Sequence, residues 1–115
     1  MNDCIFCKIV NKDIPSKIVY EDDSIIAFDD INPEAPVHVL IVTNKHLTGI
    51  NGVEKGDKEV LGQMFLVAKK VAEIKGVKDS GYRFIINSGR NGHQLIKHLH
   101  MHLLGGRDLG PKLVA

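Results

Sequence analysis

The sequence predicts a single α+β domain: an antiparallel sheet with one long and one short helix. Three observations carry that prediction. Runs rich in β-branched and aromatic residues recur along the chain, several of them sequentially adjacent as in antiparallel pairs. One segment repeats its apolar residues at intervals of three and four, the mark of a long amphipathic helix. The chain is 115 residues long, which suits one domain and leaves no room for a second core.

In order along the chain, Cys4 to Lys12 places Ile5, Ile9 and Phe6 on one helical stripe. Ile14-Pro15-Ser16 stops it, since proline disfavours helix in the residue before it. Lys17 to Asp22 and Ser24 to Asp29 read as strands of a hairpin, turning at Asp22-Asp23. Asn32 to Pro36 is a loop, and Val37 to Thr43 is a mostly buried strand that contains one histidine, His38. A glycine-containing connection leads to the long helix, from Asp57 to about Lys75, with Val60, Leu61, Met64, Val67, Ala68 and Val71 on its apolar face. Gly76 suits its stop. Tyr82 to Asn87 is a strand, Ser88 to Gly92 a loop, and Lys97 to Leu104 the last strand, ending at Gly105-Gly106. No internal repeat or low-complexity segment interrupts this pattern.

Composition narrows the function. Hydrophobic residues make up 43% and charged residues 25%, which excludes a disordered or fibrous chain. Fifteen basic against fourteen acidic side chains leave a charge of +1, too little to hold a nucleic-acid polymer or an anionic membrane by electrostatics. The N-terminal residues carry no basic, apolar and small-residue leader, and no apolar run approaches a membrane span, so the expected compartment is the cytoplasm. The two cysteines, Cys4 and Cys7, are spaced C-x-x-C. In a reducing compartment that spacing points to metal or redox chemistry ahead of a structural disulfide.

Six histidines are the unusual feature, four of them between His93 and His102. Alternate residues of a strand share a face, so His98, His100 and His102 line one wall about 6.6 Å apart while Leu99, Met101 and Leu103 enter the core. A neutral imidazole can attack phosphorus while a neighbour holds a proton for the leaving group. Convergence of all three on one zinc ion is awkward at that spacing. His38 reads equally as a core histidine or a member of this group.

The run His98-x-His100-x-His102 with apolar x, preceded by Gln94 and followed by Leu104-Gly105-Gly106-Arg107, resembles the signature of the histidine triad superfamily, in its nucleotide-binding phosphoramidase branch. Cys4-Ile-Phe-Cys-Lys-Ile, Asp13-Ile-Pro-Ser, Tyr20-Glu-Asp-Asp, Ala27 to His38, Gly81-Tyr-Arg-Phe and Gly106-Arg-Asp-Leu-Gly-Pro match in order, so the resemblance spans nearly the whole chain. It implies a homodimer whose sheets join, and hydrolysis of nucleoside 5′-phosphoramidates or similar nucleotidyl conjugates through a covalent nucleotidyl-histidine. His100 would be the nucleophile, His102 the contact to the α-phosphate and proton donor to the amine, and His38 its partner. Ile5, Phe6, Ile9, Ile14, Phe28 and Ile31 would form the apolar wall for a purine base, and Asp30 would accept from the ribose. Asn87 and Gln94 would contact phosphate or cap a loop. Cys4, Cys7, His46 and His98 would bind a structural zinc. Where the family has Gly-Gly-Gln and then a polar residue, this chain has Gly92-His93-Gln94-Leu95. The rival readings are a purine-nucleotide-binding module with little turnover and a zinc-storage or redox module.

Overall fold

A computed structural model describes residues 3–111. Its five strands are β1 (Ile18–Glu21), β2 (Ile25–Asp29), β3 (Val37–Thr43), β4 (Tyr82–Ile85) and β5 (His100–Gly105), and its helices are α1 (Ile5–Val10) and α2 (Lys58–Ile74). The strands form one antiparallel sheet in the order β1-β2-β3-β5-β4. The α+β prediction therefore holds, with β1 and β2 as the expected hairpin.

Alternation along the strands divides the sheet into two faces. Ile25, Ala27, Val39, Ile41, Leu99, Met101 and Leu103 pack on one face against Met64, Val67, Ala68, Val71 and Ala72 of α2. Ile26, Phe28, Leu40 and Val42 point the other way and are covered by Phe6 and Ile9 of α1. Because both faces are covered in the middle, β3 reads as a continuous apolar run rather than an alternating one. The long helix ends as its sequence requires. Gly76 adopts φ +73°, its amide donates to the Glu73 carbonyl, and the amide of buried Val77 donates to the Ala72 carbonyl, which together satisfy the last free carbonyls. Among the described residues no helix is long and apolar enough to cross a membrane.

The last strand departs from its expected bounds. It begins at His100 rather than Lys97 and continues through Gly105. Upstream of it the His98 amide turns back to the Ile96 carbonyl and the Leu99 amide reaches the Leu47 carbonyl. The His98 carbonyl is taken by the His100 ring, so this stretch has no ladder to join. The alternation survives nonetheless, with Leu99, Met101 and Leu103 in the α2 core and the histidines on the opposite face. Residues 86–99 thus form a long connection laid over one end of that face.

Candidate active site

A cavity of about 590 Å³ opens on the α1 side of the sheet. Following the strand order, it runs from Asp30 and Asn32 beyond β2, across His38 and Leu40 of β3 and His100, His102 and Leu104 of β5, to Ile85 and Asn87 on the β4 side. Phe6 closes it from α1, and His93, Leu95 and Ile96 from the β4–β5 connection. Two larger clefts elsewhere, about 710 and 850 Å³, contain no histidine or cysteine.

Backbone partners fix the protonation of each imidazole, because a carbonyl can only accept and an amide N–H can only donate. His100 Nδ1 lies 2.6 Å from the His98 carbonyl oxygen and must carry the proton, which leaves the Nε2 lone pair free. The Glu34 amide donates to His38 Nδ1 at 3.0 Å, so the His38 proton is on Nε2. That proton is donated to His102 Nδ1 at 2.9 Å, with an Asp30 carboxylate oxygen 3.5 Å away. His102 then keeps its own proton on Nε2. The group thus supplies one bare nucleophilic nitrogen, on His100, and one N–H donor, on His102, with their rings 5.1 Å apart.

Burial is the largest cause of the acid shift at both histidines. His100 lies below the usual imidazole range, with the His98 carbonyl and Asp30 acting in the opposite sense. His102 is lowered to about 4 by burial and then by the neighbouring His100 and His38, against the pull of Asp30. Both rings are neutral at pH 7, as an attacking nitrogen requires. A bound phosphoryl group would add its negative charge to that of Asp30 and favour a proton on His102, opposing burial.

Cys4, Cys7, His46 and His98 bring their ligand atoms within 4.8 Å of one another. Cys4 caps α1, its sulfur accepting from the Cys7 amide. His98 Nε2 donates to the Thr43 carbonyl at 2.7 Å, which turns the Nδ1 lone pair toward Cys4 Sγ at 3.2 Å and Cys7 Sγ at 3.5 Å. His46 Nδ1 stands 3.1 Å from Cys7 Sγ. Two sulfurs and two imidazole nitrogens, that of His98 held in the ligating tautomer, fit a four-coordinate metal ion. Asp30, His38 and His102 also cluster within 4.8 Å, but the Glu34 amide leaves the proton on the His38 nitrogen that would have to face an ion. His38 and His102 are instead joined by a hydrogen bond, with the Asp30 carboxylate beside them.

The structure brings Phe6, Asp30, Asn87, His38, His100 and His102 together around the cavity. It places other expected residues differently. Ile9 and Phe28 are buried in the α1 core with Ile14 packed against them. Ile5 lines a separate cleft beside His46, and Ile31 is 90% exposed outside the cavity. Gln94 faces away from the cavity: its amide nitrogen donates to the Thr48 and Ile96 carbonyls and its oxygen accepts from the Gly89 amide. It staples the β4–β5 connection. Asn87 braces the same loop by donating to the Gly92 carbonyl at 2.7 Å. Sequence reasoning missed Glu34, whose main-chain role leaves no side-chain signal, and Leu40, Ile85 and Leu104, which read as ordinary strand residues.

A histidine triad on an antiparallel sheet defines the class, and the chain belongs to the HIT domain family, which it matches over residues 11–109. It is 50% identical to the purine nucleoside phosphoramidase of Escherichia coli strain K12 over 109 residues, covering 95% of this chain and 92% of that protein. It is also 50% identical to the 14 kDa zinc-binding protein of Zea mays, over 91% of this chain and 83% of that one. The solved structure of a HIT family hydrolase from Clostridium thermocellum superposes with a TM-score of 0.95 at 45% identity, covering 99% of both chains.

Proposed function

We propose that this protein is a hydrolase of purine nucleoside 5′-phosphoramidates and related nucleotidyl conjugates. The observation that carries the reading is the bond from His100 Nδ1 to the His98 carbonyl, which leaves His100 Nε2 unprotonated inside the cavity. His100 Nε2 attacks the α-phosphorus as the P–N bond breaks, and the amine nitrogen takes the bonding pair and a proton. His102 Nε2–H supports charge on the phosphoryl oxygens and, once the bound phosphoryl charge has drawn a second proton from solvent onto the His38–His102 pair, passes a proton to the amine. Water then cleaves the nucleotidyl-His100 and restores the free ring. Asp30, at the β2 end of the cavity, accepts from the ribose hydroxyls, and Phe6 packs on the base. The likeness to the bacterial phosphoramidase supports a purine preference.

Incubation with adenosine 5′-phosphoramidate tests this directly. Release of ammonia, with a nucleotidyl adduct trapped on wild-type protein by acid-free mass spectrometry and absent from His100→Ala, is the expected result. Normal nucleotide binding without amine release would favour a binding module instead.

The S₂N₂ group holds structural zinc in this reading. Tetrahedral Zn–S bonds of ~2.3 Å and Zn–N bonds of ~2.0–2.1 Å put sulfur and nitrogen roughly 3.6 Å apart, close to the 3.1 to 3.5 Å separations here. The likeness to the maize zinc-binding protein points the same way. The protein works as a cytoplasmic homodimer that continues the sheet through β4. That strand is an edge, and Phe65 of α2, 56% exposed, stacks edge-on against its Phe84, leaving apolar surface beside unpaired main-chain groups.

A further inference from the structure

The strand order gives the cavity a direction. If ribose lies at Asp30 beyond β2, the phosphorus comes over His100 and His102 on β5, and whatever is bonded to that phosphorus extends toward β4 and the connection above it. This half of the cavity is lined by Ile85, Asn87, His93 and Leu95. Asn87 gives one of its two amide hydrogens to the Gly92 carbonyl, Ile85 ends β4, and His93 and Leu95 are the exposed side chains that the connection adds to this half.

Both residues are unusual for a loop. Leu95 leaves 87% of its surface exposed, although an apolar side chain at the mouth of a cavity gains nothing from water. His93 sits at φ +60°, a left-handed conformation that costs a residue with a Cβ roughly a kilocalorie per mole or more. It is fixed there: the His93 amide donates to the Arg90 carbonyl and the Gln94 amide to the Gly89 carbonyl. A Cβ on residue 92 would fall 2.4 Å from the Ser88 carbonyl oxygen, so the tight turn admits only glycine just before His93. Strain held in place at the rim of a reactive cavity is where a functional side chain is expected. The His93 ring makes no hydrogen bond or ring contact among the described residues.

We propose that His93 and Leu95 form the leaving-group subsite and select conjugates whose departing amine carries an apolar aryl or branched alkyl substituent. The inference rests on the phosphoramidase reading above and specifies its substrate class. A flat apolar group can stack on the imidazole of His93 while covering Leu95, so contact grows as the amine moves out along the line opposite His100 Nε2. A small hydroxylated amine makes neither contact. The reaction itself is unchanged: the N–P bond to His100 forms, the P–N bond to the amine breaks, and the amine nitrogen leaves with the electron pair and one proton.

The test compares two adenosine 5′-phosphoramidates whose amines have similar basicity, benzylamine and ethanolamine, so that only the substituent differs. Wild-type protein should hydrolyse the benzyl conjugate with kcat/KM at least about tenfold higher, the discrimination an apolar pocket commonly reaches. Leu95→Ser should shrink the ratio several-fold, His93→Gly should shrink it further, and Leu95→Ile should preserve it. A wild-type ratio near one, or a ratio that Leu95→Ser and His93→Gly leave unchanged, overturns the subsite. If neither conjugate is hydrolysed, the phosphoramidase reading is what fails. The dissociation constants of the two conjugates for the same protein then test the subsite alone, and equal values overturn it.

Discussion

His98 and His100 stand two residues apart, both buried, and carry opposite chemistry. At His98 the Thr43 carbonyl accepts from Nε2–H and so turns the Nδ1 lone pair toward two sulfurs. At His100 the His98 carbonyl accepts from Nδ1–H, which leaves Nε2 bare in the cavity. Neither difference lies in the side chain. Main-chain carbonyls choose the tautomer, and the tautomer decides whether the free lone pair meets the sulfurs or the cavity. The metal-type group ties α1 to the sheet, whereas the triad faces a cavity. One should therefore govern stability and the other turnover.

Exchanging alanine for each histidine in turn is the strongest way to break that division. His98→Ala removes a side chain with no exposed surface and strands the Thr43 carbonyl, at a cost of about 3 kcal/mol. Thermal unfolding should fall by roughly 10 °C, and zinc content measured by atomic absorption should drop with it. His100→Ala should show the reverse pattern. Turnover should fall at least about a thousandfold while zinc content holds and the melting temperature moves by no more than a few degrees. Equal thermal losses in the two variants would mean that the groups do not divide the labour.

How much of this was legible beforehand depended on whether side chains or main chain carried the information. The apolar period of α2, the hairpin and the alternation of Leu99, Met101 and Leu103 are side-chain patterns, and each is found where the sequence placed it. The triad was legible for the same reason. Gln94 was open to two readings because an amide serves equally well on phosphate or on loop carbonyls, and main-chain groups of Gly89, Ile96 and Thr48 claim it. Ile9 and Phe28 show a related ambiguity, since the same apolar stripe can face a base or a core, and the core took it. Tautomers were beyond the sequence altogether. They are set by the carbonyls of His98 and Thr43 and the amide of Glu34, which are common to every residue type.

Metal withdrawal sharpens the same contrast without changing the chain. With zinc at a hundred times its dissociation constant, binding to the folded state adds about 2.7 kcal/mol. A strong chelator should remove that increment and lower the melting temperature by several degrees, reversibly on adding zinc back. Because no step at His100 passes through the metal-type group, turnover at 25 °C should persist in protein that is still folded. Complete loss of activity on chelation, with the fold intact by circular dichroism, would show that His98 holds the nucleophile only when it is itself held by metal.

Acid offers the smallest and most discriminating test. In the unfolded chain His102 titrates at its ordinary value of 6.5, but in the folded protein burial, with His100 and His38 beside it, lowers it to about 4. Above pH 6.5 both states are neutral there and the residue contributes nothing to pH dependence. Between 6.5 and about 4 the unfolded chain takes up a proton that the folded one resists, so stability must fall as pH falls through this window. Activity should follow a different course. Since kcat/KM reports the free enzyme, it should show no loss centred on 6.5, its acid limb lying below that value because burial lowers both His100 and His102, provided the protein remains folded. Asp30→Asn removes the charge that raises His102 and should move the acid limb still lower. A limb near 6.5 in wild-type protein, unmoved by Asp30→Asn, would mean that the triad histidines meet solvent as freely as His46, the exposed member of the metal-type group, and the contrast between the two regions would lose its electrostatic basis.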